Sequence, residues 1–326
     1  MTSLLSLRQQ VLRPRTLIPV GVALAGLLLS LRGLLRISPA TVWAELAKAN
    51  PLLLTLAIGI FYLTFPVRAL RWRVLLQNTG QRGLPSLSRL TRMLVLASFA
   101  NSVSVAQLGD VYRAYLLNEE ARVSLPLTVG TILAERMIDL VTLVTLLGCA
   151  ALTLYSGRLP QQGTDALLGG VGLGIGGMLG LLLLPRSRHL VERLLPARWL
   201  GAYEHFEHGA VRSLRRLPLL LAYSALGWLI EGATLWLLGL AIGVDLSASA
   251  SLVAGLVASL LSVEPLTPGG LGVTEPGIVL VLASVGVGTA GASAVALLNR
   301  LVNYASLALA GGLLYLASAR RLPLAA

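Results

Sequence analysis

The chain is poor in charge: of its 326 residues only 12% are Asp, Glu, Lys or Arg, about half the share found in an ordinary soluble domain. With 56% of residues hydrophobic and a mean hydropathy of +0.80, a soluble globule is excluded. Cys149 is the single cysteine, so no intramolecular disulfide can form and cysteine usage does not report a redox compartment. Lysine is nearly absent, Lys48 being the one lysine among 26 basic residues. The sequence contains no His-Glu-x-x-His, no Walker glycine loop and no Gly-x-Ser-x-Gly, so zinc hydrolysis, ATP-driven pumping and serine hydrolysis find no support. Gly170, Gly172, Gly174 and Gly176 imitate a dinucleotide loop, but with no strand before them they read as small-residue helix packing. His205 and His208, flanked by Glu204 and Glu207, read as a solvated helix face and not as a metal site. Neither a metal nor a cofactor is expected.

What the chain has in abundance is uncharged apolar sequence. The runs Pro51–Val67, Leu140–Gly157, Ala166–Pro185 and Leu301–Ala319 approach the ~20 residues that a helix needs to cross a hydrocarbon core. The class is therefore all-α integral membrane, a polytopic helical bundle, expected in a prokaryotic plasma (inner) membrane. The net charge of +12 is carried by arginines lying mainly between the apolar runs, where they act as topology signals or lipid-phosphate contacts. Nucleic acid is not an expected partner.

Full spans are expected near residues 16–35, 51–76, 124–156, 166–185, 217–243 and 289–318. The first follows Arg8, Arg13 and Arg15 and has the shape of a retained signal anchor. Regions 93–122 and 246–288 each have an apolar arm, a polar or Gly/Pro-broken tip and a short second arm, and read as re-entrant hairpins. The basic clusters at Arg68–Arg92, the loop 186–216 and the end of the chain then all fall on one side, placing both termini in the cytoplasm.

Compared with itself at an offset of about 163 residues, the chain aligns Leu108-Gly109 with Leu271-Gly272, and Arg68 with Glu231. Within one further residue, Glu135-Arg136-x-x-Asp139 falls on Asn299-Arg300-x-x-Asn303. One transmembrane domain, 1–326, is thus expected to hold two repeats, 16–156 and 157–318, of opposite orientation. Inverted repeats with broken helices at mid-depth are the architecture of alternating-access transporters.

The strongest local signal is Glu264-Pro265-Leu-Thr-Pro268-Gly269-Gly270-Leu271-Gly272-Val-Thr274-Glu275-Pro276-Gly277. No helix can run through it, and the arm restarting near Thr274 or Glu275 would offer N–H groups to an anionic headgroup. The first tip brings Asp110 and Arg113 onto one helical face. Glu135, Arg136, Asp139, Glu231 and Arg300 lie well inside apolar spans, where each ion costs at least ~2.5 kcal/mol and so faces a partner or a wet cavity.

These residues carry a family resemblance. Leu70-Arg71-Trp72-Arg73, Gly109-Asp110-x-x-Arg113, Glu135-Arg136-x-x-Asp139, Pro265-x-x-Pro268-Gly269-Gly270-Leu271-Gly272-x-x-Glu275 and the late Arg300 resemble the lysylphosphatidylglycerol synthase transmembrane region, a flippase-like family. The likeness covers roughly residues 60–305; Val105 and Gln107 depart from it, since the family has a proline and often a basic residue ahead of the Gly-Asp pair. It implies the membrane half without a soluble aminoacyl-transferase domain, and movement of lipids or lipid-linked intermediates between leaflets.

The combined expectation is a lipid translocase. Arg71, Arg113, Arg136, Gly269, Gly270, Gly272 and Arg300 would hold a phosphate-bearing headgroup; Asp110, Glu135, Asp139, Glu231, Glu264 and Glu275 would balance charge or carry protons. An intramembrane enzyme acting on a phospholipid or polyprenyl-phosphate headgroup, and a cell-envelope scaffold, are the alternatives. Besides the lipid, a second copy of the chain and cell-envelope biosynthesis enzymes are candidate partners.

Overall fold

The computed structural model describes residues 39–103, 108–157, 161–194, 196–262, 270 and 272–319. Among them there is no strand. The helices are α1 (Pro39–Leu46), α2 (Pro51–Asn78), α3 (Leu87–Val103), α4 (Leu108–Ala121), α5 (Leu125–Leu154), α6 (Gln161–Leu194), α7 (Ala197–Arg212), α8 (Leu217–Ala241), α9 (Ala248–Ser262), α10 (Thr274–Ser284), α11 (Thr289–Arg300) and α12 (Leu307–Ala319). A π-helical segment, Leu301–Ser306, joins the last two.

Five helical stretches are long and apolar enough to cross a membrane: Pro51–Asn78, Leu125–Leu154, Gly163–His189, Leu217–Ala241 and Thr289–Ala317. They coincide with five of the expected spans; the span expected at 16–35 lies outside the described residues. Local chemistry sets their starts. The Asn50 side chain accepts from the N–H of Leu52 at 2.9 Å, and Pro51 opens α2, where its missing donor costs nothing.

The four remaining bundle helices form two hairpins, α3 with α4 and α9 with α10. At 17, 14, 15 and 11 residues and ~1.5 Å per residue, none reaches across a ~30 Å core. Arg89 near the start of α3 pairs with Glu120 near the end of α4 at 2.8 Å, so the first hairpin returns to the end of the bundle it left. Its helices belong to residues 87–121, starting six residues before the expected boundary at 93.

The two ends of the bundle differ in charge. Asn78 donates to Ser213 O at 2.8 Å and His205 lies 3.0 Å from Ser124 Oγ, which gathers the end of α2 and the starts of α5 and α8. Arg82, Arg122, Arg212, Arg215 and Arg216 sit on the turns and helix ends there. At the opposite end Asn50 N–H donates to Ala241 O at 2.7 Å and Tyr155 meets Ser284 at 2.8 Å, so α10 finishes beside the ends of α5 and α8. This end carries Glu45, Lys48 and Asp245. The second hairpin opens from this less basic end.

Two expectations are corrected. Residues 186–216 are mostly helical: α6 runs on to Leu194 and α7 follows it. Helix α7 exposes His205 and His208, as expected of a solvated face, but buries Gly209 and Ala210 against the bundle. It crosses α5 where Gly130 meets Gly209, and a Cβ on either glycine would strike the other helix's backbone. His208 sits 3.1 Å from Thr79 O, tying α7 to the end of α2. Arg68, Arg71 and Arg73, grouped from sequence with the basic cluster following the second span, lie on α2 itself, because the helix continues through Pro66 as far as Asn78. Trp72, Leu75 and Leu76 on its last turns are completely buried, in a core shared with Leu235 and Leu238 of α8.

Candidate functional site

Helix α5 presents Glu135 and Asp139 one turn apart, hence on one face. The Arg71 guanidinium bridges both: Nη2 donates to Glu135 Oε1 at 2.8 Å and to Asp139 Oδ2 at 2.9 Å. The other Glu135 oxygen accepts from Arg113 Nη1 at 3.0 Å, and Arg113 lies over the Trp72 ring at 5.3 Å. Arg113 Nε also faces Asp110 at 3.2 Å, and the second Asp110 oxygen accepts from Arg136 Nη2 at 2.6 Å. Charges of alternating sign thus run Asp139, Arg71, Glu135, Arg113, Asp110, Arg136 through three helices.

Two further pairs complete the cluster. Arg68 Nη2 donates to Glu231 Oε1 at 2.6 Å, with Arg68 above the Trp228 ring and Ser259 also bonded to Glu231. Arg300 Nε donates to Glu275 Oε1 at 2.6 Å, and its Nη2 reaches Gly270 O at 3.0 Å and the Thr274 hydroxyl. Five arginines (68, 71, 113, 136, 300) face five acids (Asp110, Glu135, Asp139, Glu231, Glu275), so the cluster is formally neutral. Pairing is what lets these charges sit among apolar helices, since a lone buried ion would cost several kcal/mol.

The cluster borders a cavity of about 270 Å³, between α2, α3, α5, α9 and the π-helical segment. Arg68, Arg113, Arg136, Arg300, Asp110, Glu135, Asp139 and Glu231 all line it. Their exposures differ widely. The Arg136 and Arg68 side chains are 39% and 33% exposed, whereas Arg300 and Arg113 are 9% and 3% exposed. Arg71, at 2%, does not line the cavity and instead holds the two acids of α5.

The sequence-derived set is therefore brought together with three qualifications. Glu264 and Gly269, with the Pro265–Pro268 stretch, lie outside the described residues. Gly270 and Gly272 adopt φ of +67° and +84°, backbone that favours glycine, but their polar groups turn to protein charges: Gly270 O accepts from Arg300 and Gly272 N–H donates to Glu275 at 2.9 Å. Glu275, 1% exposed, is the counter-ion of Arg300. The site also contains residues not singled out from sequence as binders: Arg68, and a neutral polar wall of Thr64, Ser98, Ser102, Asn299, Asn303 and Tyr304. Asn299 and Asn303 had a signal, since the internal repeat sets them against Glu135 and Asp139.

Residues 17–311 match the lysylphosphatidylglycerol synthase TM region. The chain belongs to this family. Within it, or beside it, stand relatives of two kinds. A UPF0104 membrane protein of Methanocaldococcus jannaschii is 35% identical over 222 residues, 67% of this chain and 93% of that protein. Another, from Methanothermobacter thermautotrophicus, is 24% identical over 319 residues, 88% of this chain and 90% of its own length. Glycosyltransferase AglD of Haloferax volcanii is 29% identical over 341 residues, which span 91% of this chain but 54% of AglD. Membership of the synthase TM region family and the five apolar helices make this an integral membrane protein.

Proposed function

We propose that this member of the lysylphosphatidylglycerol synthase TM region family moves a phosphate-bearing lipid headgroup between leaflets. The observation that carries the proposal is the cavity of about 270 Å³ in which Arg136 and Arg68 are open while every arginine already has a carboxylate partner. A phosphate can replace a carboxylate at a guanidinium, because both accept the same bidentate fork, and Asp110 when displaced from Arg136 still faces Arg113 at 3.2 Å. Arg136, paired with the partly exposed Asp110, is the first contact. Arg113 and Arg300 stand behind it as fixed positive charges, and Asp110 and Glu231 take up the balance when the lipid leaves. The acyl chains stay in the bilayer and only the headgroup crosses.

The two halves are inverted repeats in this proposal. Supporting it, the hairpins open from opposite ends, and Arg136 and Arg300, set against each other by the self-alignment, each pair with an acid in the first turn of a hairpin's second helix, Asp110 and Glu275. The basic end is cytoplasmic by the positive-inside rule, so the first hairpin is entered from the cytoplasm and the second from outside. Localisation to the plasma membrane, self-association and pairing with envelope-building enzymes belong to the same proposal.

An intramembrane enzyme is the second proposal, favoured by the name of the Haloferax relative, a glycosyltransferase, and by the acids on the cavity wall, which could serve as general bases. The purified chain in liposomes with fluorescent acyl-labelled phosphatidylglycerol separates the two. Leaflet exchange, read by dithionite quenching, with the lipid unchanged on thin-layer chromatography supports translocation. A new product without exchange overturns it.

A further inference from the structure

We propose that the turn between α7 and α8 holds an anionic phospholipid as a bound partner that is not transported. Arg212, Arg215 and Arg216 take its phosphate, and the exposed face of α8 takes an acyl chain. The leaflet is the one at the basic end, cytoplasmic by the positive-inside rule. This site stands apart from the central cavity. Glu231 follows Arg216 by 15 residues on a continuous helix, roughly 22 Å along its axis.

The three arginines differ from their neighbours. Arg89 and Arg188, also at the basic end, pair with Glu120 and Glu204. Arg212, Arg215 and Arg216 are exposed and pair with no acid among the described residues. They sit on a fixed turn. Ser213 is completely buried, Asn78 donates to Ser213 O at 2.8 Å and also to Arg215 O, and Arg216 O accepts from the N–H of Leu219 at 3.0 Å. A charge that only sets topology needs no such anchoring.

The backbone adds a second sign. Arg216 adopts φ of +58°, which strains an L residue and suits glycine. Three non-glycine residues among those described have left-handed backbone, and a second of them, Arg122 ahead of α5, is also an arginine at the basic end. An arginine held where glycine would be free of strain points to a use for its side chain.

Below the turn the surface changes character. Leu219, Ala222, Leu226 and Leu229 are exposed and spaced by three or four residues, so they continue down α8 on the face that Arg216 begins. The stripe extends roughly 15 Å. A soluble acidic protein or a free phosphate would meet the arginines and leave the stripe unused. A phospholipid meets both in order, since its phosphate lies at the interface and its chains run along the bundle. Guanidinium and phosphate form charge-assisted, bidentate bonds, and an anionic leaflet draws basic segments beside a span.

The test is thermal unfolding of the delipidated full chain in detergent, with phosphatidylglycerol, phosphatidylcholine or inorganic phosphate added. Phosphatidylglycerol should raise the unfolding temperature at least about twice as much as phosphatidylcholine, because a ligand of the folded state stabilises it. Arg216→Gly removes the guanidinium and relieves the backbone, so the variant folds. It should lose at least half of the phosphatidylglycerol excess, as should Arg212→Gln combined with Arg215→Gln. The same loss should appear in an Arg136→Gln background, since sites this far apart act additively. A loss that vanishes in that background would move the effect to the cavity and overturn the inference. Equal shifts from the two lipids, or an excess unchanged in both variants, would overturn it as well. If inorganic phosphate reproduces the Arg216-dependent shift, the turn binds a soluble anion and the lipid site is refuted.

Discussion

Arg68 and Glu231 are 163 residues apart in the chain and joined at 2.6 Å in the fold, Nη2 to Oε1. They are also the two residues set opposite each other when the sequence is aligned with itself. Positions related by a twofold axis can touch only close to that axis, so under the inverted repeat proposed above the pair would mark the axis, at the cavity wall.

Breaking this pair should loosen the contact between α2 and α8. Arg68→Gln leaves Glu231 with Ser259 as its remaining partner. The expected loss is about 2–3 kcal/mol, below the ~3–5 kcal/mol of a fully buried pair because Arg68 is 33% exposed. Under the proposed repeat the two positions have related surroundings, so the exchange Arg68→Glu with Glu231→Arg should recover more than half of that loss. Thermal unfolding of the singles and the double in detergent measures the coupling; additive losses would show that the pair does not act as a unit.

The glycine crossing of α5 and α7 gives a packing prediction. A Cβ at Gly130 would meet Phe206 O and Ala210 N, and one at Gly209 would meet Leu127 O. Backbone cannot move aside as a side-chain tip can, so Gly130→Ala and Gly209→Ala should each cost about 1–3 kcal/mol. Gly59→Ala, with nothing nearby on the same kind of helix, serves as the control and should cost under about 0.5 kcal/mol. Denaturation midpoints of the three variants decide it.

Why some of the site could be seen in the sequence and some could not comes down to where charge sits relative to apolar runs. Glu135, Arg136, Asp139, Glu231 and Arg300 interrupt long apolar stretches, and interruption is visible without a fold. Arg68 was not seen as a binder because it comes at the end of such a stretch, with Arg71, Arg73, Arg82 and Arg89 after it. Counting positive charges cannot tell a buried arginine on a continuing helix from one in a loop. The acids that neutralise them lie on α5 and α8, and only packing brings those helices alongside. The packing of helix α7 was missed for a similar reason: Glu204, His205, Glu207 and His208 mark only its solvated face, while the glycine that seats the helix carries no pattern of its own. The π-helical segment Leu301–Ser306 has no mark in the sequence.

Topology can be read with single cysteines in a Cys149→Ser background. Glu119 at the end of the first hairpin and Arg215 before α8 lie at the basic end, and Ser247 and Gly288 flank the second hairpin at the other. Membrane-impermeant maleimide added to intact spheroplasts should label Ser247→Cys and Gly288→Cys and spare Glu119→Cys and Arg215→Cys until the membrane is opened. Labelling of Ser247→Cys and Gly288→Cys from different sides would mean that the second hairpin crosses completely.

Arg136 and Arg300 are set against each other by the self-alignment of the sequence, yet their surroundings separate their roles. Arg136 is 39% exposed and held by one partner, the Asp110 carboxylate, at 2.6 Å. Arg300 is 9% exposed and engages Glu275, Gly270 O and the Thr274 hydroxyl together. Arg136→Gln should therefore cost under about 1 kcal/mol of stability, as an exposed pair does, while slowing exchange of acyl-labelled phosphatidylglycerol at least tenfold. Arg300→Gln strands Glu275, whose carboxyl is almost completely buried, and should cost about 3–5 kcal/mol. Arg300→Lys keeps the charge but loses the fork that reaches three partners at once, so it should fall between. Removing both partners, Arg300→Leu with Glu275→Leu, should be more stable than Arg300→Gln alone, because two apolar side chains leave no buried charge. Unfolding midpoints and exchange rates on the same preparations sort the two arginines. If Arg136→Gln exchanges phosphatidylglycerol at the parent rate, the open arginine is not the first contact, and the headgroup must meet the buried charges directly.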